Sequence, residues 1–175
     1  EKIMSKLVTN LNRLIKVQPV FTADDNADND VAFEWTSFTL GTENGIGAVL
    51  ESVAILDGYD FGEAIELVFC RGGDDDGTAP TAAQGLVGGA GTGSAAVDIT
   101  QAETQAVEIC GHVNMTYTEG DLLTAKMATN TNIGLVLAPR KNSKSLYIGG
   151  IWRENPTTFG SLGTGLMDIY LGFEY

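Results

Sequence analysis

Groups that carry out chemistry or crosslink a chain are scarce in this sequence. Its 175 residues include one histidine, two cysteines and four prolines. Two cysteines cannot form a disulfide scaffold, and a single histidine provides little equipment for general acid–base catalysis. Motifs such as GxSxG and HExxH do not stand out. The sequence therefore predicts a protein that is not an enzyme, has no catalytic residues and needs no cofactor.

Positive charge and long apolar runs are also scarce. The chain has 10 basic and 23 acidic side chains, a formal net charge of −13. Binding to nucleic acid requires clustered Lys and Arg that displace counterions from phosphates, so this balance argues against a nucleic-acid partner. No stretch reaches the ~18 apolar residues of a membrane-spanning helix. We expect neither nucleic acid nor a membrane among the partners.

The few basic residues are concentrated near the two ends of the sequence. Residues 1–16 carry a net charge of +3, residues 17–125 carry −18, and residues 126–175 carry +2. In the first segment apolar residues recur every three to four positions, which suits an amphipathic helix, although an extended arm fits equally because no capping signal is present. We predict that residues 1–16 form an arm or short helix that binds an acidic surface, its own or a neighbour's. The contact residues predicted on this basis are Lys2, Ile3, Lys6, Leu7, Leu11, Arg13, Leu14 and Lys16.

Residues 17–175 have the pattern of a single β domain. Short apolar or alternating segments are separated by turns rich in Gly, Asn, Asp and Thr. About eight such segments predict an all-β fold, an antiparallel β-sandwich of the jelly-roll type. Segment 48–56 is apolar on both faces, as in a doubly buried strand. The predicted strands are residues 17–21, 31–39, 48–56, 64–70, 106–115, 133–137, 145–152 and 166–173.

Two of the connecting segments have a recognisable character. Residues 72–96 contain eight glycines and lack the large apolar side chains that would offset the entropy of ordering, so they predict a long surface loop. Residues 98–106 fit a short helix capped by Asp98.

One acidic run has the composition of a calcium site. Asp24, Asn26, Asp28 and Asp30 place oxygen ligands at alternate positions, as Ca²⁺ requires. The run lacks the glycine and the bidentate glutamate of an EF-hand, because Asn29 and Trp35 occupy those positions. It is a weak calcium candidate, and a solvated acidic turn explains the same residues.

A second cluster combines three residue types that bind metals. Glu108, Cys110 and His112 alternate along one predicted strand and are expected on one face. No further ligand pair accompanies them, and residues two apart on a strand lie ~7 Å apart, too far for direct proton transfer between a thiol and an imidazole. We interpret them as a half-buried thiol and a hydrogen-bonded histidine.

Three stretches resemble the small β-sandwich decoration, or cement, proteins of tailed-bacteriophage capsids. The first has the apolar sequence LIKVQPVF, and the second leads from GAVLESVAILD to IELVF. The third contains KSLYI, the turn NPTTF and the closing strand LMDIYL. These stretches are residues 14–21, 46–70 and 144–171. The chain departs from the pattern at residues 24–30, where the similar proteins tend to have a Tyr and a Gly-Asp turn.

The resemblance implies a structural role. Such proteins attach to the outer surface of an icosahedral phage head, contact the major capsid protein and often form homo-oligomers, such as trimers, at local symmetry axes. It implies a virion location after assembly in the host cytoplasm, and no active site. A carbohydrate-binding or adhesion module on a virion is the alternative, because Trp35, Trp152, Tyr147, Tyr170 and Tyr175 could stack on sugars.

Overall fold

The computed structural model describes residues 13–21, 30–58, 63–73, 76–80, 107–117, 126–154 and 167–175. Among these residues no helix is long and apolar enough to cross a membrane. Their regular structure is β. The strands are β1 (Arg13–Val17), β2 (Val31–Thr39), β3 (Ala48–Asp57), β4 (Ile65–Cys70), β5 (Ile109–Met115), β6 (Lys126–Leu137), β7 (Ser145–Trp152) and β8 (Met167–Glu174).

The eight strands form two four-stranded sheets. The first sheet has the order β1-β8-β3-β6, and the second has the order β2-β7-β4-β5. All strand pairs are antiparallel. Successive strands mostly cross from one sheet to the other, which is the connectivity of a jelly roll with two Greek keys. The predicted all-β, jelly-roll-like sandwich is therefore confirmed.

The core lies between the two sheets and follows the alternation of the strands. In β8 the side chains of Met167, Ile169, Leu171 and Phe173 are buried, whereas the residues between them are half-buried. Phe33 from β2 and Phe69 from β4 enter the same core from the second sheet. Because strand side chains alternate in direction, this pattern leaves one outward set of side chains on each sheet.

The strands that are buried on both faces differ from the strand for which the sequence predicts this. Strand β3 alternates between buried and half-buried residues, whereas every residue of β4 is buried. In β7 all residues after Ser145 are buried. On the outer side of the second sheet, Val68 packs with Val31 and Ile151, and Trp35 packs against them. The strands buried on both faces are therefore the two inner strands of the second sheet.

The first strand also differs from its prediction. Residues 17–21 were expected to pair, but β1 is Arg13–Val17, and Pro19 and Val20 follow it. Proline has no amide hydrogen for a ladder, so the strand lies before it. Residues 13–16, assigned to the arm, therefore lie in the sandwich and are extended rather than helical. The remaining arm residues, the predicted helix at 98–106 and most of the Gly-rich segment lie outside the described residues.

Candidate interaction surface

Strand β1 forms one edge of the first sheet, and its side chains attach it to β8. Lys16 Nζ lies 2.8 Å from Asp168 Oδ2 and 5.9 Å from the centre of the Tyr170 ring. Gln18 Nε2 donates a hydrogen bond of 2.8 Å to Asp168 Oδ1. Burial disfavours the charged form of Asp168, but the hydrogen bonds from Lys16 and Gln18 outweigh it and lower the pKa of Asp168. The hydrogen bond with Asp168 also raises the pKa of Lys16, so the pair is ionised at neutral pH.

Arg13, the first described residue, has a structural contact. Its guanidinium Nη1 donates a 2.7 Å hydrogen bond to the carbonyl of Leu40, which also accepts a 2.5 Å hydrogen bond from the hydroxyl of Tyr175. Gly41 lies directly beneath the guanidinium at a φ of +73°, and an added Cβ there would overlap Arg13 Nη1. The positive φ favours a glycine at this position, whereas the end of the flexible Arg13 side chain could move away from an added Cβ. Arg13 therefore fixes the point at which the chain enters the sheet.

Leu14 and Lys16 point outward from the first sheet, while Ile15 and Val17 face the core. Leu14 is the most exposed large apolar side chain that the structure describes, at 67%. The register places Leu14 opposite Gly172 and Lys16 opposite Tyr170 on β8. Of the predicted arm contacts, the structure thus brings these two onto one sheet face, assigns Arg13 a structural role, and leaves Lys2, Ile3, Lys6, Leu7 and Leu11 outside the described residues.

The outer side of β3 and β6 continues this face with eight uncharged side chains, interrupted by Glu51 at the bulge between Val49 and Ser52. Its eight side chains pair across the two strands as Val49–Val136, Ser52–Thr131, Ala54–Thr129 and Leu56–Met127. On its other side, β3 places Ser52 opposite Gly172 and Ala54 opposite Tyr170, so the patch is continuous with β8. We call these eight residues the outer patch.

The outer patch has a defined pattern of apolar and small side chains. Val136 is 66% exposed and Met127 is 46% exposed, and they lie at opposite ends of the patch. Between them lie the hydroxyl and methyl groups of Ser52, Ala54, Thr129 and Thr131. The result is a low surface with apolar ends, which adjoins Glu51 on β3 and, on β8, Asp168 opposite Leu56 and Glu174 opposite Val49.

A bulge separates the metal-binding residue types on β5. Phe69 pairs with Gly111 and Cys70 with Ile109, which leaves Cys110 as the extra residue. Cys110 consequently packs against the main core, whereas Ile109 packs on the outer side of the second sheet. Glu108 precedes the strand in the left-handed region, at a φ of 47°. The expected common face for Glu108, Cys110 and His112 is therefore not formed, because a bulge reverses the alternation.

The two thiols are not activated. Burial raises the pKa of Cys70 to about 12, and burial raises the pKa of Cys110 to about 11 despite the nearby Arg71. A thiol with such a pKa is almost fully protonated at neutral pH, whereas nucleophiles and metal ligands are thiolates. Within the described part of the chain no group of three or more His, Cys, Asp or Glu side chains could hold a metal ion.

Glu108 joins two arginines at a cleft of about 550 Å³. Arg71 Nη1 lies 3.0 Å from Glu108 Oε2, and Arg140 Nη1 lies 2.6 Å from Glu108 Oε1. Arg140 also donates a 3.1 Å hydrogen bond to the carbonyl of Gly72. These contacts connect the end of β4, the start of β5 and the segment after β6. The carboxylate is shared between the two cations and bridges them.

His112 belongs to a second ion network, on the second sheet. Its Nδ1 contacts Glu66 Oε1, and Arg153 Nε donates a 2.6 Å hydrogen bond to Glu66 Oε2. Glu66 is 8% exposed, so both partners compensate a buried carboxylate. The histidine is hydrogen-bonded, in agreement with the interpretation of the sequence. No sequence signal identifies Arg153, which lies 87 residues from Glu66.

The structure places the remaining candidates as follows. Trp152 and Tyr147 are 1% and 6% exposed, so neither presents a ring for stacking on a sugar. Trp35 is half-buried against the outer side of the second sheet. Of the calcium candidates, Asp30 is 6% exposed, and its backbone carbonyl accepts a hydrogen bond from Trp152. Asp24, Asn26 and Asp28 lie outside the described residues.

The chain matches no model of a known protein family and no curated protein. Among solved structures it is similar to a chain from "Israeli acute paralysis virus heated to 63 degree - full particle", with a TM-score of 0.29 and 11% identity. The similarity covers 93% of this chain and 68% of that chain. A likeness this low carries no argument about function. The jelly-roll assignment rests on the strand order of the two sheets.

Proposed function

We propose that this chain is a structural virion protein of a tailed bacteriophage, which decorates the outer surface of the head. It stabilises the head by bridging subunits of the major capsid protein. The resemblance of three stretches to decoration proteins supports this proposal, and those stretches lie largely in β1, β3, β4, β7 and β8. In this proposal the chain attaches to the head in the host cytoplasm. On the head it acts as a homo-oligomer.

The position of β1 is the observation that carries the proposal. It is an edge strand, fixed by Arg13 on Leu40 and by Lys16 on Asp168. The chain before Arg13 therefore starts at the rim of the sandwich. In sequence that segment combines Ile3, Leu7 and Leu11 with two lysines. An apolar and basic segment attached to the rim of an acidic body is suited to binding a neighbouring subunit.

A protein of this kind stabilises a shell without chemistry. It binds the assembled form and not separate subunits, so binding shifts the equilibrium toward assembly. Each attached copy uses several contacts on one body, and linked contacts strengthen each other through effective concentration. The requirements are a rigid body and a matching surface.

Removing residues 1–12 should weaken attachment while leaving the sandwich folded. Residues 13–16 must be kept, because their deletion would also remove β1. We expect the affinity for heads purified without this protein to fall at least tenfold, measured by co-sedimentation. Circular dichroism and thermal melting should match those of the full chain. The double variant Lys2→Gln, Lys6→Gln provides a control that separates the role of charge from that of length.

Two results would count against the proposal. The full chain could fail to bind such heads, or it could bind them without raising the temperature at which they release DNA. Imaging intact particles by cryo-electron microscopy gives an independent check, since density for a jelly roll on the outside of the head is expected.

A further inference from the structure

We propose that the cleft beside Arg71 binds a linear aliphatic carboxylate, such as a medium-chain fatty acid. The carboxylate of the ligand contacts the guanidinium of Arg71, and its hydrocarbon chain lies along the apolar wall. This inference goes beyond the proposed function and does not depend on it. We call this cleft of about 550 Å³ the Arg71 cleft, and it is lined by Arg71, Glu108, Ile109, Cys110, Val136 and Ala138.

The charge at the Arg71 cleft is the first argument. The carboxylate of Glu108 lies between two guanidiniums, with Arg71 Nη1 at 3.0 Å and Arg140 Nη1 at 2.6 Å. These three groups together carry a net charge of +1. Arg71 is also the one basic residue among residues 17–125, which contain 19 acidic residues. A local excess of positive charge favours an anionic ligand.

The guanidinium of Arg71 retains hydrogen-bond donors for such a ligand. Its Nη2 donates a 3.4 Å hydrogen bond to the carbonyl of Pro139, and its Nη1 contacts Glu108. Each of these nitrogens carries two hydrogens, so within the described residues each keeps one N–H for another partner. The side chain of Arg71 is 35% exposed, which lets a ligand reach it. A guanidinium presents its donors as a planar fork that matches a carboxylate.

Glu108 is suited to give way to the ligand on Arg71. Its backbone has a φ of 47°, which is costly for a residue other than glycine and is a feature found at ligand sites. Its side chain is 41% exposed, and exposed ion pairs contribute little to stability. Its contact with Arg140 is the more buried one, because the side chain of Arg140 is 15% exposed. We therefore expect the ligand to replace Glu108 on Arg71 while Glu108 remains on Arg140.

The rest of the lining determines the rest of the ligand. Ile109, Val136 and Ala138 are apolar, and burial raises the pKa of Cys110 to about 11, so its thiol is uncharged at neutral pH. Clefts of roughly 300–1,000 Å³ with apolar walls and a few polar groups are typical of small-molecule sites. A phosphate group with two negative charges would be repelled by Glu108 more strongly than a single carboxylate. One carboxylate on an aliphatic chain is therefore the ligand that fits.

The first test compares carboxylates of increasing chain length. Isothermal titration calorimetry gives the affinity of the full chain for butanoate, hexanoate and octanoate at neutral pH and constant ionic strength. Each methylene that is buried against the apolar wall should raise the affinity about fourfold. Hexan-1-ol lacks the charge and should bind at least about tenfold more weakly than hexanoate, because hydrogen bonds to a charged group are lost. An affinity that does not depend on chain length, or equal binding of hexan-1-ol and hexanoate, would overturn the inference.

Three variants locate the ligand. Arg71→Gln should weaken octanoate binding about tenfold or more, because the cation is removed. Glu108→Gln should strengthen binding, because the competing carboxylate is removed, whereas damage to the fold would weaken it. Arg153→Gln is the matched control, since Arg153 also forms an ion pair and its side chain is 38% exposed, but its partner is Glu66 on the second sheet. Thermal melting shows that each variant is folded.

Opposite effects of the two cleft variants, with an unchanged control, support the inference. Weaker binding to folded Glu108→Gln, or an equal loss in Arg71→Gln and Arg153→Gln, contradicts it. Thiol labelling gives an independent check, because Cys110 lines the cleft. In the variant Cys70→Ala, saturating octanoate should slow the labelling of Cys110 by a disulfide reagent, and an unchanged rate would show that the ligand is bound elsewhere.

Discussion

Cys110 illustrates how one inserted residue changes the chemistry that a strand can present. The bulge opposite Phe69 and Cys70 turns its thiol toward the core and away from the direction of His112. Burial then raises its pKa to about 11. His112 instead contacts Glu66, which is held by Arg153 as well. Each group is used to complete a packed or charged contact, and the two do not form a catalytic pair.

The pH dependence of thiol labelling tests this account of Cys110. Because only the thiolate reacts, its labelling rate should rise about tenfold per pH unit between pH 7 and 10. An unperturbed thiol, with a pKa of ~8.5, levels off above that pH. The variant Cys70→Ala leaves Cys110 as the reporting thiol, and the rate with a disulfide reagent can be followed by absorbance. A plateau near pH 8.5 would show that the thiol is not buried as described.

At the level of elements, β7 is the strand on which the second sheet depends. It lies between β2 and β4, and its residues after Ser145 are buried. Gly150 allows the ring of Phe33 to lie directly on the strand, since an added Cβ would overlap three atoms of that ring. Phe33 in turn makes an edge-on contact with Phe21, with ring centres 5.4 Å apart. The glycine is thus a packing requirement of the core.

Gly150→Ala should therefore destabilise the sandwich by overpacking. Extra methyl groups in a filled core typically cost about 1–3 kcal/mol, and the rigid ring of Phe33 leaves little room to adjust. Urea denaturation followed by tryptophan fluorescence measures the loss. Adding Phe33→Leu to this variant should cost less than the sum of the two single changes, because the overlap is relieved. Simple additivity of the two would argue against the contact.

At the scale of the whole molecule, the net charge of −13 produces a negative electrostatic potential around the protein. It opposes compaction and association through self-repulsion, and it acts most strongly where acidic groups are concentrated in residues 17–125. On the outer side of the first sheet, Glu51, Asp168 and Glu174 contribute to this field. The same charge opposes association between free copies of the chain.

Salt should accordingly stabilise the isolated protein. Raising NaCl from about 10 to about 150 mM shortens the Debye length from about 30 to about 8 Å, which screens the repulsion. We expect the melting temperature to rise over this range at pH 7. Near pH 4.2, the isoelectric point of the sequence, the rise should vanish. A melting temperature that falls with added salt at pH 7 would mean that attractive ion pairs such as Lys16–Asp168 dominate.

Part of the fold and of the surface could be predicted from sequence. Strands β2 and β7 begin and end at the predicted residues, because their aromatic and β-branched runs are bounded by clear turns. β6 was predicted as residues 133–137, but it begins at Lys126, since Thr129, Asn130 and Thr131 carry no apolar alternation. Leu14 and Lys16 were selected as contact residues, while the outer patch was not found. Half of the outer patch lies on β6, and the composition of β6 resembles that of a loop.

The sequence by itself determined the alternation of apolar side chains, the charge and the scarcity of reactive groups, because these depend on residues adjacent in the chain. The tertiary structure alone decided which strands are neighbours. Pairing of β3 with β6 joins residues 69 or more positions apart and creates the outer patch. The tertiary structure also set the environments of Cys110 and Glu66. A bulge turns Cys110 toward the core, and the distant Arg153 forms an ion pair with Glu66. Contacts of this kind depend on which strands pair and how the two sheets pack, so the pattern of residues adjacent in the chain cannot predict them.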